Sequence, residues 1–108
     1  MNEKKLGGLI GLALRARQAE TGAEASRMLI KAGKCGVLLV DEQAATNTRE
    51  KAEALCRQSG IGMILIPEGI ISSYTGKSSM ILAVKRGSFA GEIIRLSQED
   101  SQTDSITS

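Results

Sequence analysis

The chain has no histidine and no tryptophan, one proline, one tyrosine, one phenylalanine and two cysteines. Without histidine it lacks the usual neutral-pH general base, the usual activator of a serine or cysteine nucleophile, and the commonest metal ligand. Cys35 and Cys56 stand alone with no CxxC pair, so a zinc site has too few ligands. Both lie in apolar stretches and read as reduced core thiols, with one disulfide between them as the alternative. Tyr74 and Phe89 are the only aromatics, so the core is aliphatic. Their scarcity also disfavours RNA binding by stacking bases on a sheet of exposed rings. No apolar run approaches the ~18 residues of a membrane span.

Catalytic patterns are missing as well. Ser72, Ser73, Cys35 and Cys56 have no histidine to activate them, and Asp41-Glu42 reads as a solvated pair of strand-end acids. Gly76-Lys77-Ser78 imitates the end of a phosphate-binding loop, but Ile71 stands where that motif needs glycine, and a strand follows where a helix should. The expectation is a protein without catalysis, metal or cofactor. Lys4 and Lys5 before Leu6–Leu14 imitate a secretion signal, yet Arg15 and Arg17 interrupt where small residues should mark cleavage. A cytoplasmic protein with no membrane partner is therefore expected, and a monomer.

The 108 residues suffice for one domain. The formal charge is +2 but unevenly placed. Ser97–Ser108 holds Glu99, Asp100 and Asp104 and no base, which leaves 14 bases against nine acids in the remainder. That surplus of five suits an anionic partner. The expected division is a domain over 1–97 and a disordered acidic tail over 98–108.

Apolar periodicity supplies the elements. Leu6, Leu9, Ile10, Ala13 and Leu14 form one helical stripe, with Asn2 as cap and with glycines that permit close approach to a neighbour. After a short link or brief strand at Gln18–Thr21, a second helix opens at Thr21-Gly22. It buries Ala25, Met28, Leu29 and Ala32 and stops at Gly33. Val37–Val40, Met63–Ile66 and Met80–Val84 read as strands buried on both faces. A third helix is capped by Asn47 with Glu50, buries Ala52, Leu55 and Cys56, and ends at Gly60. A short turn spans Glu68–Tyr74, and a last helix spans about Ser88–Leu96. Alternation of this kind predicts an α/β fold: a three-layer α-β-α sandwich on a mixed, mostly parallel sheet of about four strands.

Several stretches occur together and in order: Leu9-Ile-Gly-Leu-Ala-Leu-Arg-Ala-Arg17, Thr21-Gly-Ala-Glu24, Lys31-Ala-Gly-Lys-Cys-Gly-Val-Leu-Leu-Val40, Asn47-Thr48, and Met80-Ile-Leu-Ala-Val84 before Gly87-Ser-Phe-Ala90. Over roughly residues 5–97 the chain resembles the kink-turn RNA-binding ribosomal-protein superfamily, of the L-seven-Ae and L-thirty-e types. Within it the chain looks like the small bacterial YlxQ-type proteins. The resemblance implies a structured-RNA partner, of kink-turn or ribosomal type and with ribosome association, docked on the N-terminal end of the second helix.

On that reading Gly22 and Ala23 let RNA approach the backbone and Glu24 accepts from a guanine edge. Arg27, Lys31, Lys34, Arg15 and Arg17 meet phosphates, and Ile70 and Ile71 pack against an extruded base. Ile70 and Ile71 also read as core residues of a short helix. The chain departs from the family's helix motif Gly-Thr-Asn-Glu followed by Lys. Gly22 matches, while Ala23, Glu24, Ala25 and Met28 stand at the other four places. The less polar Ala25 and Met28 support an alternative: a protein-interaction module on the same fold, with RNA binding lost.

Overall fold

The computed structural model describes the backbone of residues 1–107 and the side chains of residues 1–99. Helix α1 (Glu3–Arg15) leads to strand β1 (Ala19–Thr21) and helix α2 (Ala23–Lys31). Strand β2 (Cys35–Asp41), helix α3 (Thr46–Ser59) and strand β3 (Gly62–Ile66) follow. Helix α4 (Ile70–Thr75), strand β4 (Ile81–Lys85) and helix α5 (Ser88–Thr107) complete the chain.

The strands lie in the order β1-β4-β2-β3. Only β2 and β3 pair in parallel, whereas β1–β4 and β2–β4 are antiparallel. The sandwich and its mixed sheet of four strands are as expected, but the antiparallel pairs outnumber the parallel one. The pairing of β1 with β4, far away in sequence, is what alternation alone does not reveal.

Alternation along β2 divides the core. Val37 and Leu39 face one side, with Leu6 and Ile10 of α1, Ile71 of α4 and Ile93 of α5. Leu38 and Val40 face the other, with Leu29 and Ile30 of α2 and Ala52 and Cys56 of α3. Helices α1, α4 and α5 thus form one outer layer, and α2 and α3 the other.

Local signals hold in several places. The Asn2 side chain caps α1 by accepting from the Lys5 N–H at 3.1 Å. Gly33 and Gly60 take the left-handed conformation after α2 and α3. The α1 glycines do admit a neighbour: a Cβ on Gly7 would lie 2.2 Å from the Tyr74 ring.

Other expectations are corrected. α2 buries Ser26, Leu29 and Ile30, whereas Met28 is 64% exposed and Ala32 is exposed. The helix is rotated from the predicted stripe because Ser26, small enough to be enclosed, takes an inner position. α3 begins at Thr46 after Ala45, with no side-chain cap, so Asn47 lies inside the helix. β3 is an edge strand with Leu65 44% exposed, and not a strand buried on both faces. Met80 precedes β4 and is exposed. α5 continues past the predicted end at Leu96, since neither glycine nor proline follows to stop it. Residues 97–99 are helical. The expected disorder of the acidic tail falls, for residues 100–107, on side chains outside the described ones, and Ser108 lies wholly outside.

Candidate nucleic-acid interface

Strand register divides the ten predicted RNA-contact residues into three groups. The first, Gly22, Ala23, Glu24, Arg27 and Lys31, belongs to α2 and its start. The Gly22 N–H donates to the Ile81 carbonyl at 2.9 Å, which fixes the start of α2 beside the start of β4. Gly22 has φ +102 and ψ 158 and carries no side-chain cap. The first intrahelical donor is the Ser26 N–H, to the Gly22 carbonyl at 3.0 Å. The N–H groups of Ala23, Glu24 and Ala25 are therefore left pointing outward from the helix end. They add to the positive end of the helix dipole, an arrangement that accepts phosphate oxygens or a carbonyl edge.

Glu24 and Arg27 are bound to each other one helical turn apart. The Arg27 Nη2 donates to Glu24 Oε1 at 2.6 Å. This hydrogen bond, reinforced by the charge of Arg27, holds the Glu24 carboxyl below its ordinary range. Each charge satisfies the other, so neither is a free reader of a base or phosphate. Glu42 and Glu68 also lie at this end, where the Glu68 N–H donates to Glu42 Oε1 at 3.4 Å. The helix tip is accordingly not a basic surface.

Positive charge lies instead along a groove of about 560 Å³ between α2 and α3. Ala23, Glu24, Arg27 and Lys31 form its α2 wall, and Thr48 and Lys51 belong to its α3 wall. Its floor is apolar, with Ile30, Leu38 and Ile81 among its residues. Lys31 and Lys51 have no ion-pair partner among the described residues. Ser26 also lines the groove. Its Oγ is buried with no hydrogen-bond partner.

The second group, Ile70 and Ile71, is a correction. Both are buried in the core layer of α1, α4 and α5, Ile71 completely. Neither presents a face to an extruded base. They are the apolar floor of a short helix that has to be anchored to the sheet, and α2 and α3 lie on the sheet's other side.

The third group, Arg15, Arg17 and Lys34, lies at the opposite end of the sheet from Gly22. The Gln18 carbonyl accepts from the Lys85 N–H at 2.8 Å, and the Lys34 carbonyl accepts from the Arg86 N–H at 2.9 Å. Ile81 and Lys85 are four residues apart on β4, about 13 Å at ordinary strand rise. These three cations therefore do not join the start of α2 in a single surface.

No protein-family model and no curated protein matches the chain. Solved structures do. A protein of unknown function from Bacillus halodurans is 26% identical and superposes with a TM-score of 0.79, over 85% of this chain and 95% of that one. The Giardia lamblia 15.5kD RNA binding protein is 13% identical with a TM-score of 0.68, over 83% of this chain and 78% of that one. The chain thus shares its fold with an RNA-binding protein. At that identity the likeness is one of fold alone.

Lys51 and Thr48 were not readable as site residues, because nothing in the sequence shows which face of α3 meets α2. Lys85 and Arg86 at the far end were missed for a similar reason: their neighbours Gln18 and Lys34 are remote in sequence. No group of three or more metal-ligating side chains occurs among the described residues. None of the described helices is long and apolar enough to cross a membrane.

Proposed function

We propose that the chain is a non-catalytic, structured-RNA-binding protein of the kink-turn-binding ribosomal-protein type, docking RNA at the start of α2 and along the α2–α3 groove. The observation that carries this reading is the uncapped α2 start, with three unpartnered N–H groups opening onto a groove that holds the unpaired cations Lys31 and Lys51. The amides supply hydrogen bonds of fixed direction, and the two lysines supply phosphate attraction. The shared fold with an RNA-binding protein adds support. With Ala25 and Met28 in the family's polar positions, the RNA recognised differs from the one that motif reads.

Gel-shift titration against kink-turn, ribosomal and single-stranded RNAs tests the proposal. Binding of at least one folded RNA well below about 10 µM at physiological salt is expected, tighter than the usual non-specific regime. A Lys31→Gln/Lys51→Gln double variant should lose about tenfold. Uniform binding weaker than about 10 µM to every RNA would contradict it.

One observation favours a second reading. Met28 on α2 is 64% exposed and Met80, just before β4, 40%, an apolar exposure that suits a protein partner. Partners that survive nuclease treatment in a pull-down would support that reading over RNA.

A further inference from the structure

The far end of the sheet gathers cations that the α2 start lacks. Three chain segments lie side by side there, joined by the backbone bonds Lys85 N–H to Gln18 and Arg86 N–H to Lys34. They place Arg17, the Lys85-Arg86 pair and Lys34 along adjacent ends of β1, β4 and β2, with Arg15 in the last turn of α1. Arg15, Arg17, Lys34 and Arg86 are exposed and Lys85 is half-buried. None has an ion-pair partner among the described residues. The nearest acid on these segments, Glu20, is opposite Ala83 on β4, two residues in from Lys85.

A bland explanation covers part of this charge. Arg15 sits in the last turn of a helix, where a cation complements the negative dipole end. Arg17 and Lys34, just past the caps of α1 and α2, share that reason in part, whereas Lys85 and Arg86, at the end of β4 and just after it, do not.

Arg17 carries a second signal. Among the described residues it is the one non-glycine with positive φ, at +58. It follows the α1 cap in a closure in which its N–H donates to Leu14 and the Gln18 N–H donates to Ala13. α2 ends in the same closure, but there the left-handed position is Gly33. At α1 the chain carries a long cation in a conformation that favours glycine.

We propose that this end is a second phosphate-binding surface, which takes the backbone of an RNA duplex through Arg17, Lys34, Lys85 and Arg86 independently of the α2–α3 groove. The chemistry is sequence-independent. Four cations on one end of a sheet face a polyanion whose condensed counterions they displace on binding. No exposed ring lies among these cations, which fits backbone contact rather than base reading. A chain with two such ends can hold two RNA segments together.

The test uses the full chain and an uninterrupted, mixed-sequence RNA duplex of about 20 base pairs, long enough to offer several phosphates per contact face. Affinity is measured by fluorescence anisotropy across a salt series for wild type, for Lys34→Gln/Arg86→Gln and for Lys4→Gln, at the other end of α1 from Arg15. Thermal unfolding confirms that each variant folds. The far-end double variant should bind about tenfold more weakly, with the slope of log affinity against log salt shallower by about 1.8, two lost contacts at ~0.9 each. The control variant Lys4→Gln, exposed and outside both surfaces, should stay within about twofold of wild type on this probe. An unchanged affinity and slope in the far-end variant overturns the proposal. So does binding to vesicles of anionic phospholipid that depends on Lys34 and Arg86 when the duplex does not bind. Because the duplex offers no folded motif, failure of the groove reading on structured RNA leaves this result unaffected, and the converse holds.

Discussion

Asp41 at the end of β2 holds Gly69 before α4: Oδ2 accepts from the Gly69 N–H at 3.0 Å, while Oδ1 accepts from the Gln43 N–H at 2.7 Å. Asp41 is only 2% exposed, so it is not the solvated strand-end acid that its position after an apolar run suggests. It fastens the β3–α4 connection to β2 across 28 residues. Asp41→Ala leaves both N–H groups without their charged acceptor and should cost about 2–4 kcal/mol of stability. Asp41→Asn, which keeps one acceptor oxygen, should cost less. Urea unfolding of wild type and both variants measures this, and an Asp41→Asn variant as unstable as Asp41→Ala would show that the retained acceptor contributes nothing.

Gly7 and Tyr74 make a spectroscopic handle. An added Cβ at Gly7 would overlap the far end of the Tyr74 ring, which is 46% exposed and free to swing outward. Gly7→Ala should therefore displace the ring while changing stability by less than about 1 kcal/mol, because the alanine favours the helix by a similar amount. The chain has one tyrosine and no tryptophan, so its intrinsic fluorescence reports that ring alone. An unchanged spectrum would mean that α1 and α4 separate instead, and stability would then fall by more.

Ser26 carries a buried hydroxyl with no partner. Ser26→Ala removes this desolvated polar group and adds helix propensity, so stability should rise by about 1 kcal/mol. A lower urea midpoint would show that the hydroxyl is bonded in solution.

The thiols make stability depend on high pH. Burial pushes Cys56 up to about 11 from an ordinary 9.0, with Cys35 adding to the effect, and burial raises Cys35 too. The folded thiols hold their protons more tightly than the unfolded ones. Their stabilising contribution is therefore complete below pH 9 and is lost as pH rises towards 11. Urea midpoints should fall between about pH 8 and about pH 10.5 for wild type, and fall less for Cys56→Ala. Equal falls in both proteins would assign the loss to other groups.

Much of the fold was legible because local chemistry and tertiary packing agree. β2 reads as a continuous apolar run and is buried on both faces. Asn2, Gly33 and Gly60 mark ends that chain-local rules set. Where the sequence misled, a distant neighbour decided. Ser26 and Met28 exchange their expected roles because α2 turns a small residue towards the sheet. Met63–Ile66 resembles β2 in composition, but only strand order makes it an edge. The site was legible less well. Glycine at position 22 and the cations could be named, yet Lys34 is separated from Gly22 by the length of the sheet, and Lys51 joins Lys31 only through helix packing.

Nitrogen-15 NMR of the full chain, titrated with the folded RNA that binds best in gel shifts, tests the central claim most directly. The amide resonances of Ala23, Glu24 and Ala25 should move most, together with those of Lys31 and Lys51, as the free N–H groups gain acceptors. Saturable binding that leaves these five amides in place would contradict the account.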